Sequence, residues 1–149
     1  MTINPELQGR SYPAGDVYSV GRESVRDFAR AVKATHPAHF DVAAARALGH
    51  ADLVAPPTYA IIVAQRADAR LIEDPGSGID FSRVVHAEQK FTHHRAITAG
   101  DELVAELHVD AVRAMGTGAM ITTRAEIATV DGTPVATTTS AILVRGEGQ

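Results

Sequence analysis

Two hydrophobic periods divide the chain. Up to about residue 72 the apolar positions recur at helical spacing, and from about residue 84 they alternate. After an extended stretch, Asp16 to Val20, the segment Arg22 to Lys33 sets Val25, Phe28, Ala29 and Val32 on one side. That spacing predicts an amphipathic helix. Pro37 is expected to end it, because proline disfavours helical backbone in the residue before it. Asp41 is placed to cap a short helix, Val42 to Leu48, with Gly49 as its stop. Ala55-Pro56-Pro57-Thr58 suits a helix start, where the missing proline N–H is not needed. The run Tyr59 to Ile72 is apolar on most sides until Gln65, Arg66, Asp68 and Arg70 appear. It predicts a buried helix over roughly Pro57 to Ile72.

Beyond it, Val84 to His93 reads as a strand, and Ala99-Gly100-Asp101 as the turn leading into the next one. Leu103, Ala105, Leu107, Val109 and Ala111 alternate with Glu102, Glu106, His108 and Asp110, the pattern of a strand with one wet face. Met115 to Gly118 forms a turn. Ile121, Thr123, Ala125, Ile127 and Thr129 alternate again. Asp131-Gly132 is a hairpin signal, and Val135 to Val144 closes the series. Helices first and strands afterwards indicate an α+β fold with an antiparallel meander of about four strands. A curved sheet wrapped around the buried helix is one candidate among several.

Composition narrows the picture. The 149 residues fit one domain, 1–149. Hydrophobic residues at 45% and charged residues at 21% suit a globular chain rather than a disordered one. A net charge of −4 without a basic stripe argues against nucleic acid as a partner. Cysteine is absent, which removes disulfides, thiolate metal sites and a cysteine nucleophile. Met1 to Pro13 lacks the basic region and apolar core of a signal peptide, and no apolar run is long enough for a bilayer. A cytoplasmic location without membrane attachment is the expectation.

Several candidate centres dissolve on inspection. His93 and His94 would point to opposite faces of a strand, so with His86 they do not suggest a metal site. Ser77 and Ser82 lack a nucleophile elbow. Gly116 and Gly118 have no strand-to-helix context for a phosphate loop. Arg22, Arg26 and Arg30 lie on one helix face and read as a solvated surface. No metal or cofactor is expected.

Three segments carry a resemblance. Ala34-Thr35-His36-Pro37-Ala38-His39 resembles the hydratase motif Asp-x-Asn-Pro-x-His of the MaoC-like hydratases and dehydratases. Leu48-Gly49-His50-Ala51-Asp52-Leu53-Val54-Ala55-Pro56-Pro57-Thr58 is similar to the stretch before their central helix. Gln89-Lys90-Phe91 with Ile97-Thr98-Ala99-Gly100-Asp101-Glu102-Leu103 is similar to their strand, turn and hairpin start. Gly9-Arg10-Ser11-Tyr12-Pro13 and Val20-Gly21-Arg22-Glu23 resemble the HadA-type subunits of actinobacterial (3R)-hydroxyacyl-ACP dehydratases. The resemblance implies the hot-dog fold, an antiparallel sheet around one long helix. It further implies a dimer, fatty-acid metabolism, and an acyl-ACP or acyl-CoA thioester as the ligand.

Dehydrating a 3-hydroxyacyl thioester needs a base for the α-proton, an acid for the departing hydroxyl and donors for the thioester oxygen. In the family His and Asp of the motif share the first two tasks, and an amide at the start of the central helix holds the oxygen. This chain has Ala34 at the Asp position and His36 at the Asn position, while His39 survives. Ala34 can neither hold a water nor give a proton. The candidate catalytic residues are therefore His39 and, less directly, His36. Pro57, Thr58, Tyr59, Ile62 and Val63 are the candidate substrate contacts.

The leading expectation is a substrate-channel subunit of an (R)-specific dehydratase or enoyl hydratase, weak or inactive alone, beside a MaoC-like catalytic partner. One alternative is a non-catalytic, homodimeric acyl-thioester-binding protein. Another is a self-sufficient hydratase using His39, with His36 and His39 otherwise lining a relic pocket or dimer seam. Thioesterase chemistry is known on this fold, but no helix carboxylate stands out for it.

Overall fold

The computed structural model describes residues 3–148. Three helices precede most of the sheet: α1 (Arg22–Ala31), α2 (Val42–Ala47) and α3 (Ala60–Glu73). Six strands form one antiparallel sheet: β1 (Ser11–Tyr12), β2 (Tyr18–Ser19), β3 (Val84–His93), β4 (Glu102–Met115), β5 (Gly118–Thr129) and β6 (Pro134–Val144). The fold is α+β, with the sheet laid around α3, and the helix packs on β4, β5 and β6.

The burial stripe of α3 explains that embrace. Ala60, Val63, Ala64, Ala67 and Leu71 are buried, at spacings that keep one side turned inward. Three of the five are alanines, so the helix backbone approaches the concave face closely. Leu103, Leu107, Val109, Ile121, Ile127 and Val135 supply the opposing surface.

Helix α1 ends earlier than proline would have ended it. Lys33 adopts a left-handed backbone, φ 60°, and closes the helix with its N–H on Arg30 and that of Ala34 on Ala29. This is a Schellman closure made with lysine instead of glycine. It turns Val32 outward, so the fourth apolar position of the expected stripe is exposed. Pro37 instead begins a separate 3-10 turn, Pro37–His39. Helix α2 follows expectation: Asp41 caps it by accepting the Ala43 N–H at 2.9 Å, and left-handed Gly49 closes it.

The strand order β1-β4-β5-β6-β3 corrects one reading of the sequence. Strands β4, β5 and β6 form the expected meander, but β3 does not turn into β4. It runs beside β6 at the opposite edge, with Val84 opposite Val144 and His93 opposite Ala136. The outer side of β4 is occupied by β1 and β2. The connection from β3 to β4 crosses the end of the sheet and is tied to the strand-like residues ahead of α3. Ala55 N–H donates to Ile97 and Ala99 N–H to Leu53, at 2.8 and 2.9 Å. No helix among the described residues is long and apolar enough to cross a membrane.

Candidate functional site

The segment that carries the motif is short and well tied. Helix α1 delivers Ala34, half-buried, and the 3-10 turn delivers His36 and His39. His36 is exposed and caps its own turn, its Nδ1 accepting the Ala38 N–H at 3.1 Å. His39 is half-buried, and its Nδ1 lies 2.6 Å from the Val54 carbonyl. A carbonyl can only accept, so Nδ1 carries a proton, and in the neutral ring Nε2 is the nitrogen with the lone pair. The ring also meets Phe40 edge-on at 6.4 Å and His36 at 6.2 Å. The Ala38 carbonyl accepts from the Val54 N–H, which fixes the turn against the residues leading to α3.

This arrangement orients the His39 imidazole, and among the described residues no carboxylate pairs with it. Asp41 is committed to capping α2. Asp52 is held by Arg22 at 2.8 Å, and that guanidinium keeps its carboxyl below the usual aspartate range. At the start of α3, Pro56 and Pro57 have no N–H, so the first amide available there is that of Thr58.

The candidate substrate contacts are dispersed. Pro57 and Thr58 are exposed, and Ile62 is half-buried. Val63 is buried and borders a small pocket with Tyr18, Arg66 and Ala105. Tyr59 is fully buried. Its ring lies edge-on to Phe28 at 5.4 Å, and its hydroxyl reaches Ser24 at 2.8 Å and Tyr18 at 3.0 Å. Burial holds the Tyr59 phenol well above the usual tyrosine range, so it stays protonated.

The larger opening lies further along α3. A cavity of about 680 Å³ runs between the second half of the helix, β3, β6 and the loop bearing Phe81. Leu71, Ile72, Val84 and Ile142 make its walls largely apolar, while Asp68, His86 and Ser140 are polar. Asp68 accepts the Thr123 hydroxyl at 2.9 Å, and Ser140 Oγ and His86 Nε2 are 3.2 Å apart. Burial pushes the Asp68 carboxyl above the ordinary aspartate range, against the opposing pulls of Thr123 and His86. Sequence reasoning missed this carboxyl because it arrives amid Gln65, Arg66 and Arg70, where the helix looks solvated. Its signal was position: it stands four residues after buried Ala64 and four before Ile72.

The remaining candidates have local employment. His94 Nε2 lies 3.0 Å from the Thr137 hydroxyl, and His93 stacks on Phe91. The Ser77 and Ser82 hydroxyls serve turns. Arg26 and Arg30 pair with Glu23 and Asp27 on their own helix.

Comparison with known proteins agrees with this geometry. Residues 6–138 match the family described as "FAS1-like, dehydratase domain region". A "UPF0336 protein" of Clavibacter michiganensis is 51% identical over 147 residues, covering 99% of each chain. Among solved structures, the (3R)-hydroxyacyl-ACP dehydratase complex HadBC of Mycobacterium tuberculosis contains a chain 33% identical to this one. That match has a TM-score of 0.83 and covers 92% of this chain and 96% of that one. A "MaoC-like dehydratase" is also 33% identical, with a TM-score of 0.85, over 95% of this chain and 43% of the longer protein. With the hot-dog architecture and the surviving half of the hydratase motif, these matches make the chain a member of the MaoC-like hot-dog dehydratase family.

Proposed function

We propose that this chain is the acyl-binding subunit of an (R)-specific 3-hydroxyacyl-thioester dehydratase, of HadA type, with a partner of the same fold supplying the Asp–His pair. The observation that carries this reading is Ala34. It stands where the family's acid stands, and among the described residues no carboxylate pairs with His39. The acyl chain lies along α3 in the 680 Å³ cavity, against Leu71, Ile72, Val84 and Ile142. This shifts the chain contacts from Tyr59, which protein atoms enclose, and Val63, which borders a smaller pocket, to the next turns of the same helix. Pro57 and Thr58 stay at the thioester end, and the carrier is ACP or CoA.

Assembly is supported by the free side of β3. That strand spans ten residues, lies at the sheet edge, and is exposed along most of its length. Val85 and neighbouring Phe81 are exposed there, at 44% and 68%. Long edges of this kind are ordinarily covered. The HadBC relative, itself a complex, supports a partner of similar shape.

His39 favours a second reading. Its ring is fixed through Nδ1, and Nε2, the nitrogen a base would use, makes no hydrogen bond among the described residues, so a self-sufficient hydratase with an acid from elsewhere is the competitor. Co-expression with a MaoC-like protein containing an intact Asp-x-Asn-Pro-x-His motif, followed by a spectrophotometric enoyl-thioester assay, separates the two. The subunit reading expects co-purification, an active complex, and little effect of His39→Ala within it. Full turnover by this chain alone, abolished by His39→Ala, would establish the competitor.

A further inference from the structure

The inner face of the sheet is mainly apolar, with Thr138 buried in it and one row of polar cross-strand neighbours beside Thr138. Thr123 on β5 pairs with Ser140 on β6, and Ser140 pairs with Gln89 on β3. Asp68 faces this row from the helix and takes the Thr123 hydroxyl, while His86 reaches Ser140 from β3. Two oxygens of this group lack a hydrogen bond. Among the described residues, Asp68 Oδ2 receives no hydrogen bond, and the buried Oε1 of Gln89 has no partner. Gln89 Oε1 is buried, whereas the half-buried Asp68 lines the open cavity; a polar group left against hydrocarbon without a partner is costly. A plain alkyl chain in the cavity would do that to Asp68.

We propose that this cavity selects acyl chains bearing a hydroxyl along the chain, distinct from the one lost in dehydration, with Asp68 as the residue that recognises it. The inference rests on the acyl-binding reading above and names the class of chain. The geometry separates the two hydroxyls. Asp68 lies eight residues beyond the start of α3, which is about 12 Å along the helix axis, away from Thr58 and His39. The Asp68 carboxyl, shifted toward its neutral form, could donate as well as accept. Ser140 and His86 stand beside it as further partners for the same hydroxyl. Sites built to hydrogen-bond a hydroxyl discriminate strongly against the analogue lacking it, because their own polar groups are then stranded.

The test uses the full chain and a displaceable fluorescent fatty-acid probe. The competing ligands are a long-chain fatty acid and a positional series of the same acid carrying one hydroxyl. At least one position should bind about tenfold more tightly than the plain chain, the scale of one net hydrogen bond. Asp68→Asn, which keeps the shape and one acceptor, should retain most of the preference. Asp68→Leu should abolish it while binding the plain acid at least as well as wild type, which also shows that the variant is folded. A preference that survives in Asp68→Leu, or plain and hydroxylated chains that bind wild type alike, overturns the proposal and leaves the acyl-binding reading standing. Failure of every chain to displace the probe overturns both.

Discussion

Replacing Tyr59 by phenylalanine removes one oxygen from the junction of α1, β2 and α3. That oxygen reaches Ser24 at 2.8 Å and Tyr18 at 3.0 Å, so two hydrogen bonds are lost. The two partners are themselves 3.2 Å apart and can satisfy each other. No polar group is stranded, and the loss should be about 1 kcal/mol. Tyr59→Ala removes the ring as well. The ring is fully buried and has edge contacts with Phe28 and Tyr18, so the cost should rise to about 4 kcal/mol. At about 3 °C per kcal/mol for a chain of this size, melting should fall slightly for the first variant and by ten degrees or more for the second. Urea unfolding followed by circular dichroism measures both. If Tyr59→Phe is as damaging as Tyr59→Ala, the hydroxyl network dominates and the packing argument fails. If Tyr59→Ala costs under about 1 kcal/mol, the residue is not a core residue and belongs to an open pocket, as its position in the sequence first suggested.

Three other outcomes are expected. Ala34→Asp should raise hydration of a short enoyl-CoA by the isolated chain above wild type, whose rate should lie about 10²- to 10⁴-fold below that of an intact enzyme; an unchanged rate would show that His39 does not face the substrate. Asp68 has a raised carboxyl in the fold, so the native state holds its proton more tightly than the unfolded chain does. Its contribution to stability should therefore fall as pH rises from about 4 through the raised value, and stay flat above it. The difference in urea midpoint between wild type and Asp68→Asn across that range should show this slope, and a constant difference would contradict it. Finally, a Cβ on Gly118 would sit 2.2 Å from the Val144 carbonyl oxygen and 2.8 Å from Gly146 N. Gly118→Ala should thus cost about 2–3 kcal/mol in the same unfolding assay, and a neutral result would mean the β5–β6 contact yields readily.

What was legible in the sequence is what burial writes into it. The alternation in β4 and β5 and the stripe of α3 exist because each element has one inward side, so type and approximate limits followed. The position of β3 did not, because alternation shows that a strand has a wet face and not which strand lies beside it. The outward turn of Val32 was hidden because its cause, left-handed Lys33, lacks the glycine that usually marks such a closure. At the site, the missing acid was visible at Ala34. The ring orientation of His39 was not, since it depends on the carbonyl of Val54, fifteen residues away. Asp68 was hidden because a charged residue in a helix reads as solvated unless its facing sheet is known.

The place of β3 also bears on how the chain is made. Among the described residues its one neighbour in the sheet is β6, and Val84 must wait for Val144 before the edge can form. During synthesis β3 leaves the ribosome long before that partner exists. Val84, Val85 and Phe91 therefore stay unpaired until β6 has emerged. Pairings so distant in sequence slow folding and expose strand edges meanwhile. Removing the final strand would leave both β5 and β3 with open edges rather than simply shortening the protein. Extensions fused directly after Val144 would burden the step that completes the sheet, whereas those before β1 would not.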